Sequence, residues 1–354
     1  MARVGVDVGG TNTDLVLEAE HGVYFHKVAS TPHDQSEGVL KGLSELCEQA
    51  RIKPDDIELI VHGTTVATNI TLEHDGAEVG MITTRNFRDI LHIGRHKRPT
   101  ISPCILMCPG KPGRWLNGGI ELRLQKGLCR PPEKSRPRLT KTKYSKRWPC
   151  SRNGGKESVV IGFLFSFLND SHERQARAIV EQEMPGVFVC TSSDVANVLR
   201  EYERFSTAAM NAFVGPRTSF YLSNLQGKLN SEGFRANLRV MQSNGSISTV
   251  EASSRRAVNM LMSGPAGGVI GGKSEGLWCG SENMITVDIG GTSADISTIP
   301  GGQIKIMNAR DSYISGHPIL VPMIDLVTIG AGGGSIAYID SAGGFPRRAA
   351  FSRS

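Results

Sequence analysis

Residues 3–17, RVGVDVGGTNTDLVL, and residues 284–298, MITVDIGGTSADIST, are two versions of one device separated by most of a 354-residue chain. Aligned on Asp7 and Asp288, both read Val-Asp-[Val/Ile]-Gly-Gly-Thr, and a second acid follows at Asp14 and Asp295. Each stretch predicts an apolar strand ending in an aspartate, a Gly-Gly-Thr turn and a returning strand. Gly9, Gly10, Gly290 and Gly291 carry no side chain, so backbone N–H groups can crowd around an anion. Thr11, Asn12, Thr13, Thr292 and Ser293 add polar side chains, and Asp7 and Asp288 are hard oxygen ligands suited to Mg²⁺. One such loop can grip part of a polyphosphate, and two facing loops can clamp a nucleotide.

A dinucleotide-binding turn would lead from a strand into a helix. Here the turn leads into Asp14–Glu18 and, past Gly22, into Val23–Val28, which reads as an antiparallel meander. The second copy predicts the same plan: Asp295–Ile299, a turn at Pro300-Gly301-Gly302, then a strand over Gln303–Met307. Neither site contains a Walker-type GxxxxGK[ST].

Length and composition bound the class. A chain of 354 residues exceeds the roughly 250–300 at which single cores stop growing, and 39% hydrophobic content supplies sizeable cores. No apolar run reaches the roughly 18 residues of a membrane span, and the N-terminus enters a strand at once, so neither a membrane segment nor a signal peptide is expected. Seven irregularly spaced cysteines suit a reducing, cytoplasmic compartment. The net charge of +6 comes from one stretch: residues 100–157 hold fourteen Lys/Arg against three acids, together with four of the cysteines and two of the three tryptophans. The stretch has no period of 2 or 3.6. Three readings fit it: a basic nucleic-acid arm with Trp115, Tyr144 and Trp148 interleaved, a flexible insertion, and an out-of-frame segment. The last is preferred because well-patterned sequence flanks it on both sides, and no nucleic-acid partner is expected.

The flanks alternate strand and helix, an α/β class. Helices are expected at Gln35–Ala50, 66–74, from Asn169 through Glu183 and from Leu199 to about Phe213; strands are expected at Leu59–Val61, Glu78–Thr83, Val159–Phe165, Val187–Cys190 and Leu238–Gln242. A small-residue helix, Gly264–Gly272, precedes the second hairpin. Its glycines each cost roughly 0.8–1 kcal/mol relative to alanine, which suggests a close helix–helix crossing.

Taken together these residues resemble the hydantoinase A/5-oxoprolinase family of the actin–Hsp70–sugar-kinase ATPase superfamily. The motifs are VGVDVGGTNTDLVL (4–17), VHGTTVATN (61–69), GMITTRNFRDILHIGRHKRP (80–99), GFLFSFLNDSHE (162–173), LREYERFSTAAMNAFVGP (199–216), MQSNGSI (241–247), LMSGPAGGV (261–269), TVDIGGTSADIS (286–297) and IDLVTIGAGGGSIAYID (324–340). The resemblance covers about 1–99 and 158–344. It implies an actin-like, duplicated ribonuclease H-like fold, with an N-terminal domain over 1–185 and a second domain over 186–354 that looks truncated. It also implies ATP-driven opening of a cyclic amide of the hydantoin or 5-oxoproline type, the chemistry of glutathione metabolism in the latter case. ATP and Mg²⁺ would be bound by the two loops, with Asp7 and Asp288 as the catalytic and metal-binding residues.

A hydantoinase B-type subunit or domain and a homo-oligomer are the implied partners. The resemblance also places His62, Thr64, Thr65, Glu201, Arg204, Gly332 and Gly333 at the substrate side of the cleft. On the residues alone, His62-Gly63-Thr64-Thr65 could equally be a helix cap with a packed histidine, and Arg200–Arg204 a solvated helix face. Likewise Gly330–Ser335 could be a plain turn, and Asp14 and Asp295 could merely cap their hairpins. His92 and His96 without a third ligand make weak zinc candidates, and Cys104 and Cys108 fall in the suspect stretch. The competing activities are a sugar kinase and a nucleotide-binding subunit without turnover.

Overall fold

The computed structural model describes residues 2–31, 34–95, 120–122, 157–290, 293–307, 312–339 and 347–349. The nucleic-acid-arm and out-of-frame readings of 100–157 therefore lie almost wholly outside the described residues, as do His96, Cys104 and Cys108.

The first hairpin forms as expected. Strands β1 (Ala2–Val8), β2 (Asn12–Ala19) and β3 (Gly22–Ala29) make an antiparallel meander. Alternation along β1 sends Ala2, Val4, Val6 and Val8 inward and leaves Arg3, Gly5 and Asp7 on the open face. Helix α1 (Gln35–Ala50) covers the inward face with Val39, Leu43, Leu46 and Cys47, and the Asp34 side chain caps it by accepting from Ser36 N at 3.0 Å. The chain then adds β4 (Ile57–Thr64) parallel to β1 and, after α2 (Val66–Leu72), leaves for a second sheet. That sheet is all parallel, in the order β6-β5-β7-β8, from β5 (Val79–Thr84), β6 (Ile120–Leu122), β7 (Ser158–Gly162) and β8 (Phe188–Thr191), with α3 (Ser171–Glu183) on its outer face.

Helix α4 (Glu201–Ser231) is the central packing element between the two sheets. It is buried around most of its circumference, through Phe205, Ala208, Met210, Phe213, Leu222 and Leu225 among others, and so shows no amphipathic period. It outruns the expected end near Phe213 by continuing through Pro216, because packing on all sides compensates the single missing N–H. The chain then returns to the first sheet as β9 (Asn237–Met241), parallel to β4, and β10 (Ile247–Thr249), giving the order β10-β9-β4-β1-β2-β3. Strand pairing spans the expected domain division at 185/186: β8 pairs with β7 across it, and β9 joins the first sheet from beyond it.

Helix α5 (Ser263–Trp278) leads to the second hairpin, β11 (Met284–Ile289) and β12 (Ala294–Ile299). Two corrections arise here. Gln303–Met307 is not the third strand: Pro300–Gly302 forms a short 3₁₀ turn, and Ile306 makes only an isolated bridge to Ile324. After a two-residue ribbon of β13 (Tyr313–Ile314) and β14 (His317–Pro318), the third strand is β15 (Val327–Ile329), antiparallel to β12. The glycines of α5 serve a helix-on-strand contact rather than the expected helix–helix crossing. A Cβ on Gly272 would meet Thr286 Cγ2 at 2.5 Å, one on Gly276 would strike Met284, and one on Gly268 would come within 3.9 Å of Asp288 Oδ2.

Candidate nucleotide site

The two loops close by the same bond. Gly9 N donates to Asn12 O at 3.0 Å, and Gly290 N donates to Ser293 O at 2.9 Å. The strands behind them share a register, with Asp7 opposite Asp14 and Asp288 opposite Asp295. Both second acids are held by the third strand of their own sheet. Asp14 pairs with Lys27 Nζ at 2.9 Å, and Asp295 accepts from Thr328 Oγ1. Lys27 and Thr328 are the direct cross-strand partners of those acids, which favours the hairpin-bracing role over a ligand role.

Helix α5 brings the two aspartates to one place. Its first turn is pinned to the first sheet, because Ser263 Oγ donates to Thr64 O at 3.1 Å and Met262 N donates to Thr68 Oγ1 at 2.9 Å. A Cβ on Gly264 would lie 3.6 Å from Asp7 Oδ1, and four residues on Gly268 faces Asp288. Gly63, opposite Asp7 on β4, would place a Cβ 3.1 Å from the same Oδ1, so Asp7 is walled by glycines on two sides. The Asp7 side chain is open to solvent but deeply enclosed by protein. That enclosure, then the nearby Asp14 and Asp288 carboxylates, raises its pKa above the usual carboxylate range. Gly264 and Gly268, one helical turn apart on α5, thus put the two hairpin carboxylates along the same side of the helix. A groove of about 360 Å³ runs between α5 and β11, lined by Gly268, Gly272, Thr286, Asp288 and Asp295.

The polar groups of the first loop divide in two. Gly10 and Thr11 are exposed and Asn12 half-buried, whereas Thr13 is fully buried and bonds Ser30 Oγ at 3.1 Å, so its hydroxyl braces the loop instead of facing the cleft. Ser30, absent from the sequence expectations, holds the loop from behind by donating from Oγ to Gly9 O at 2.8 Å and from N to Thr11 O at 2.9 Å. No spacing or motif marks it. Gly291 and Thr292 of the second loop lie outside the described residues. Gly333 N donates to Gly290 O at 2.9 Å, and Gly332 N to Ser335 Oγ at 3.1 Å, so the glycine segment 330–335 sits against the second loop.

Three residues expected on the substrate side are buried. His62 is fully buried, bonded at 2.9 Å from Nε2 to Tyr221 Oη, and burial lowers its pKa to about 4, the packed-histidine alternative. Thr64 is also fully buried. Arg204 is enclosed in a polar network rather than in a cleft. It donates to Phe163 O at 2.8 Å, Val198 O at 3.1 Å and Ser192 Oγ at 3.1 Å. Glu173, which the sequence did not single out, is the buried counter-charge and accepts from Phe163 N, Ser192 Oγ, Ser193 N and Ser193 Oγ. Glu201 accepts weakly from Phe165 N at 3.4 Å. Thr65 ties the helix entry to the first hairpin through two bonds to Val8 O, 3.3 Å from N and 3.2 Å from Oγ1. Among the described residues no group of three or more His, Cys, Asp or Glu side chains could hold a metal, and no helix is long and apolar enough to cross a membrane.

A duplicated three-stranded hairpin unit with facing aspartates, spanned by a glycine helix, defines an actin-like ATPase fold. Solved structures agree: the chain matches the crystal structure of the ATP-dependent caprolactamase from Pseudomonas jessenii (TM-score 0.80, 32% identity, 98% of this chain and 50% of that one). It also matches the fold of nucleotide-free acetone carboxylase (TM-score 0.77, 24% identity, 99% and 51%). The hydantoinase/oxoprolinase N-terminal region matches residues 3–184 and the hydantoinase/oxoprolinase domain residues 204–346; the chain belongs to the hydantoinase/oxoprolinase family. Caprolactamase subunit alpha of Pseudomonas jessenii is 34% identical over 353 residues, covering 96% of this chain and 49% of that one. The chain spans about half the length of this relative.

Proposed function

We propose that this chain is the nucleotide-binding part of an ATP-dependent hydrolase that opens a cyclic amide of the hydantoin or 5-oxoproline type by phosphorylating the ring carbonyl. The observation that carries the reading is the pair of hairpins with one register and one loop closure, whose aspartates both border the same side of α5. The similarity to an ATP-dependent caprolactamase, whose name denotes action on a lactam, supports both the nucleotide and the substrate class.

A lactam carbonyl is a poor electrophile because amide resonance delocalises it. In the proposed reaction its oxygen attacks the γ-phosphorus, the bond to the β,γ-bridging oxygen breaks and ADP leaves. Water then adds to the activated carbon, the ring C–N bond breaks as its nitrogen takes a proton, and a second water hydrolyses the resulting acyl phosphate to carboxylate and phosphate. Catalysis of such a transfer is mostly positioning and charge neutralisation. Backbone N–H groups of the Gly10–Asn12 segment and of the Gly290–Ser293 loop would hold phosphate oxygens. Asp7 and Asp288 fit a hard cation: two carboxylates that repel one another are a ligand set for Mg²⁺, which commonly takes one or two carboxylates and completes its shell with phosphates and water. Bound there, Mg²⁺ supplies neutralisation of the β- and γ-phosphate charge. Thr65, Gly332 and Gly333 border the loops and would shape the acceptor side.

The test uses a protein carrying this region together with the portion its relatives have in addition. ATP hydrolysis is measured with 5-oxoproline, hydantoin and caprolactam. Lactam-stimulated turnover is expected, with loss of at least a hundredfold in Asp7→Ala and in Asp288→Ala. Unchanged turnover in both variants defeats the clamp reading.

A further inference from the structure

On β11 the exposed Ile285, Val287 and Ile289 carry no charge to select a partner; Val287 stands at 54% exposure and its counterpart Val6 at 3%. The outer strand of the parallel sheet is different. In the order β6-β5-β7-β8, β8 has no outer neighbour among the described residues. Phe188 N donates to Glu157 O at 3.3 Å, toward β7, and the register sets Val189 beside Val159. Alternation along the strand therefore turns the N–H and C=O of Val189 outward, to the open edge.

That edge is the floor of a groove of about 550 Å³. Residues 187–190 of the strand line it in succession, and so do residues of helices on both faces of the sheet, so the groove straddles the edge. One wall is α3, where Arg177 donates from Nε to Glu181 Oε1 at 2.7 Å and from Nη1 to Asp194 Oδ2 at 3.1 Å. This wall neutralises itself. The other wall is the short helix Val250–Arg255 with Arg256, held to α4 by Ser219 Oγ, which donates to Ser254 O at 3.0 Å. Arg255 meets Glu251 at 2.8 Å, but both side chains are largely exposed, and such a pair is worth little in water. Arg256 is exposed and makes no ion pair among the described residues. The second wall is therefore cationic.

We infer that this groove takes an extended segment of a partner protein, which adds to β8 as a fifth strand and turns acidic side chains at alternate positions toward Arg255 and Arg256. The main chain of the segment pairs with Val189, the mode by which exposed sheet edges accept an added strand. Strand residues two apart share a face, so acids at i and i+2 meet the two arginines while the residues between them meet the neutral Arg177 wall and are uncharged. Four residues of strand span roughly 13 Å, so the recognised core is about four residues with two acids. A free anion would use the arginines and leave the strand edge unpaired. The inference is independent of the nucleotide reading, because neither hairpin loop enters it.

The probe is a display library of random ten-residue peptides, selected in parallel on the 354-residue chain and on its Arg255→Glu/Arg256→Glu variant. Both arginines are exposed, and unchanged amide exchange in β1 checks that the variant folds. Peptides with Asp or Glu at i and i+2 are expected on the parent chain, and peptides with Lys or Arg at those positions on the variant. A synthetic peptide from the parent selection should slow amide exchange over residues 187–191 at least tenfold. N-methylation of its alternate amides should weaken binding at least tenfold in one register and be tolerated in the other. Selection that enriches nothing, or enriches peptides without the alternation, overturns the proposal, as does enrichment indifferent to the charge reversal. Binding that tolerates N-methylation in both registers also overturns it, and assigns the groove to a free anion. Protection of residues 187–191 that rises with the concentration of the chain alone overturns it too, and assigns the edge to a second copy.

Discussion

The first and second hairpins share a register and a loop closure and differ in almost everything around them. Both close with the same loop bond, both set an aspartate opposite a second acid, and both tether that acid to the next strand. Yet one is the buried heart of a six-stranded sheet and the other an outer strand of a three-stranded one. The hairpin is therefore a property of its own dozen residues, whereas its burial is a property of chain elsewhere. A nucleotide clamp needs the first property in both copies; rigidity of the clamp needs the second.

The comparison can be broken most forcefully by placing a charge on equivalent strand positions. Val6→Lys buries an unpaired ammonium and is expected to destabilise by about 3–5 kcal/mol, enough to unfold a marginal domain, whereas Val287→Lys stays within about 1 kcal/mol. Equal urea midpoints for the two variants would show that the faces are not differently buried.

Acid sensitivity comes next. Burial holds His62 neutral down to about 4, below its unfolded value of 6.5. The sign follows: the unfolded state binds the extra proton between those values, so stability is complete above 6.5 and is lost as pH falls toward 4, by roughly 3 kcal/mol. A His62→Phe variant whose pH profile matches the parent over that window would refute the assignment.

A smaller effect separates the open faces. Gly272→Ala pushes against Thr286 and is expected to cost about 1–3 kcal/mol, while Gly5→Ala, at the position equivalent to Thr286, meets nothing within 4 Å and should be nearly silent. Thermal unfolding of both variants checks this pair.

The finest test is Asp7→Asn. The raised pKa of Asp7 means that ionisation opposes folding, a penalty absent below about 3.8 and complete above the folded value. Asn should therefore raise the unfolding midpoint at pH 7 and not at pH 3. Equal shifts at both pH values would remove the electrostatic explanation.

What could be read in advance follows contact distance along the chain. Each hairpin was legible because its strands, loop and acids lie within some fifteen residues. The third strand of the second sheet was not, since β15 pairs with β12 across a gap that contains another ribbon. The helix expected to end near Phe213 continues through Pro216, because packing of α4 on all sides, with the Phe188 ring against Gly215, compensates the missing N–H. The family resemblance alone puts His62 and Arg204 in the cleft. The same types fill buried networks when a partner arrives from afar, as Tyr221 and Glu173 do here. Glu173 closes the motif at 162–173 with nothing in it to mark a buried counter-charge, and Ser30 carries no periodic or motif signature, so only the fold reveals what the two residues hold.

The glycines of α5 form a rack that meshes with β11. Four helical residues advance about 6.0 Å and two strand residues about 6.6–6.8 Å, so Gly268, Gly272 and Gly276 nearly keep step with Asp288, Thr286 and Met284. The mismatch of under 1 Å per tooth accumulates to about one carbon radius over this run, which sets a natural length for the engagement; the helix ends two residues after Gly276. Such gearing tolerates exchange of residues between the teeth but not a change in their count. One inserted residue turns every later tooth by about 100° and drives side chains into the strand that carries Asp288. Residues 264–276 are accordingly a segment whose length, more than its chemistry, sets the spacing of the two carboxylates.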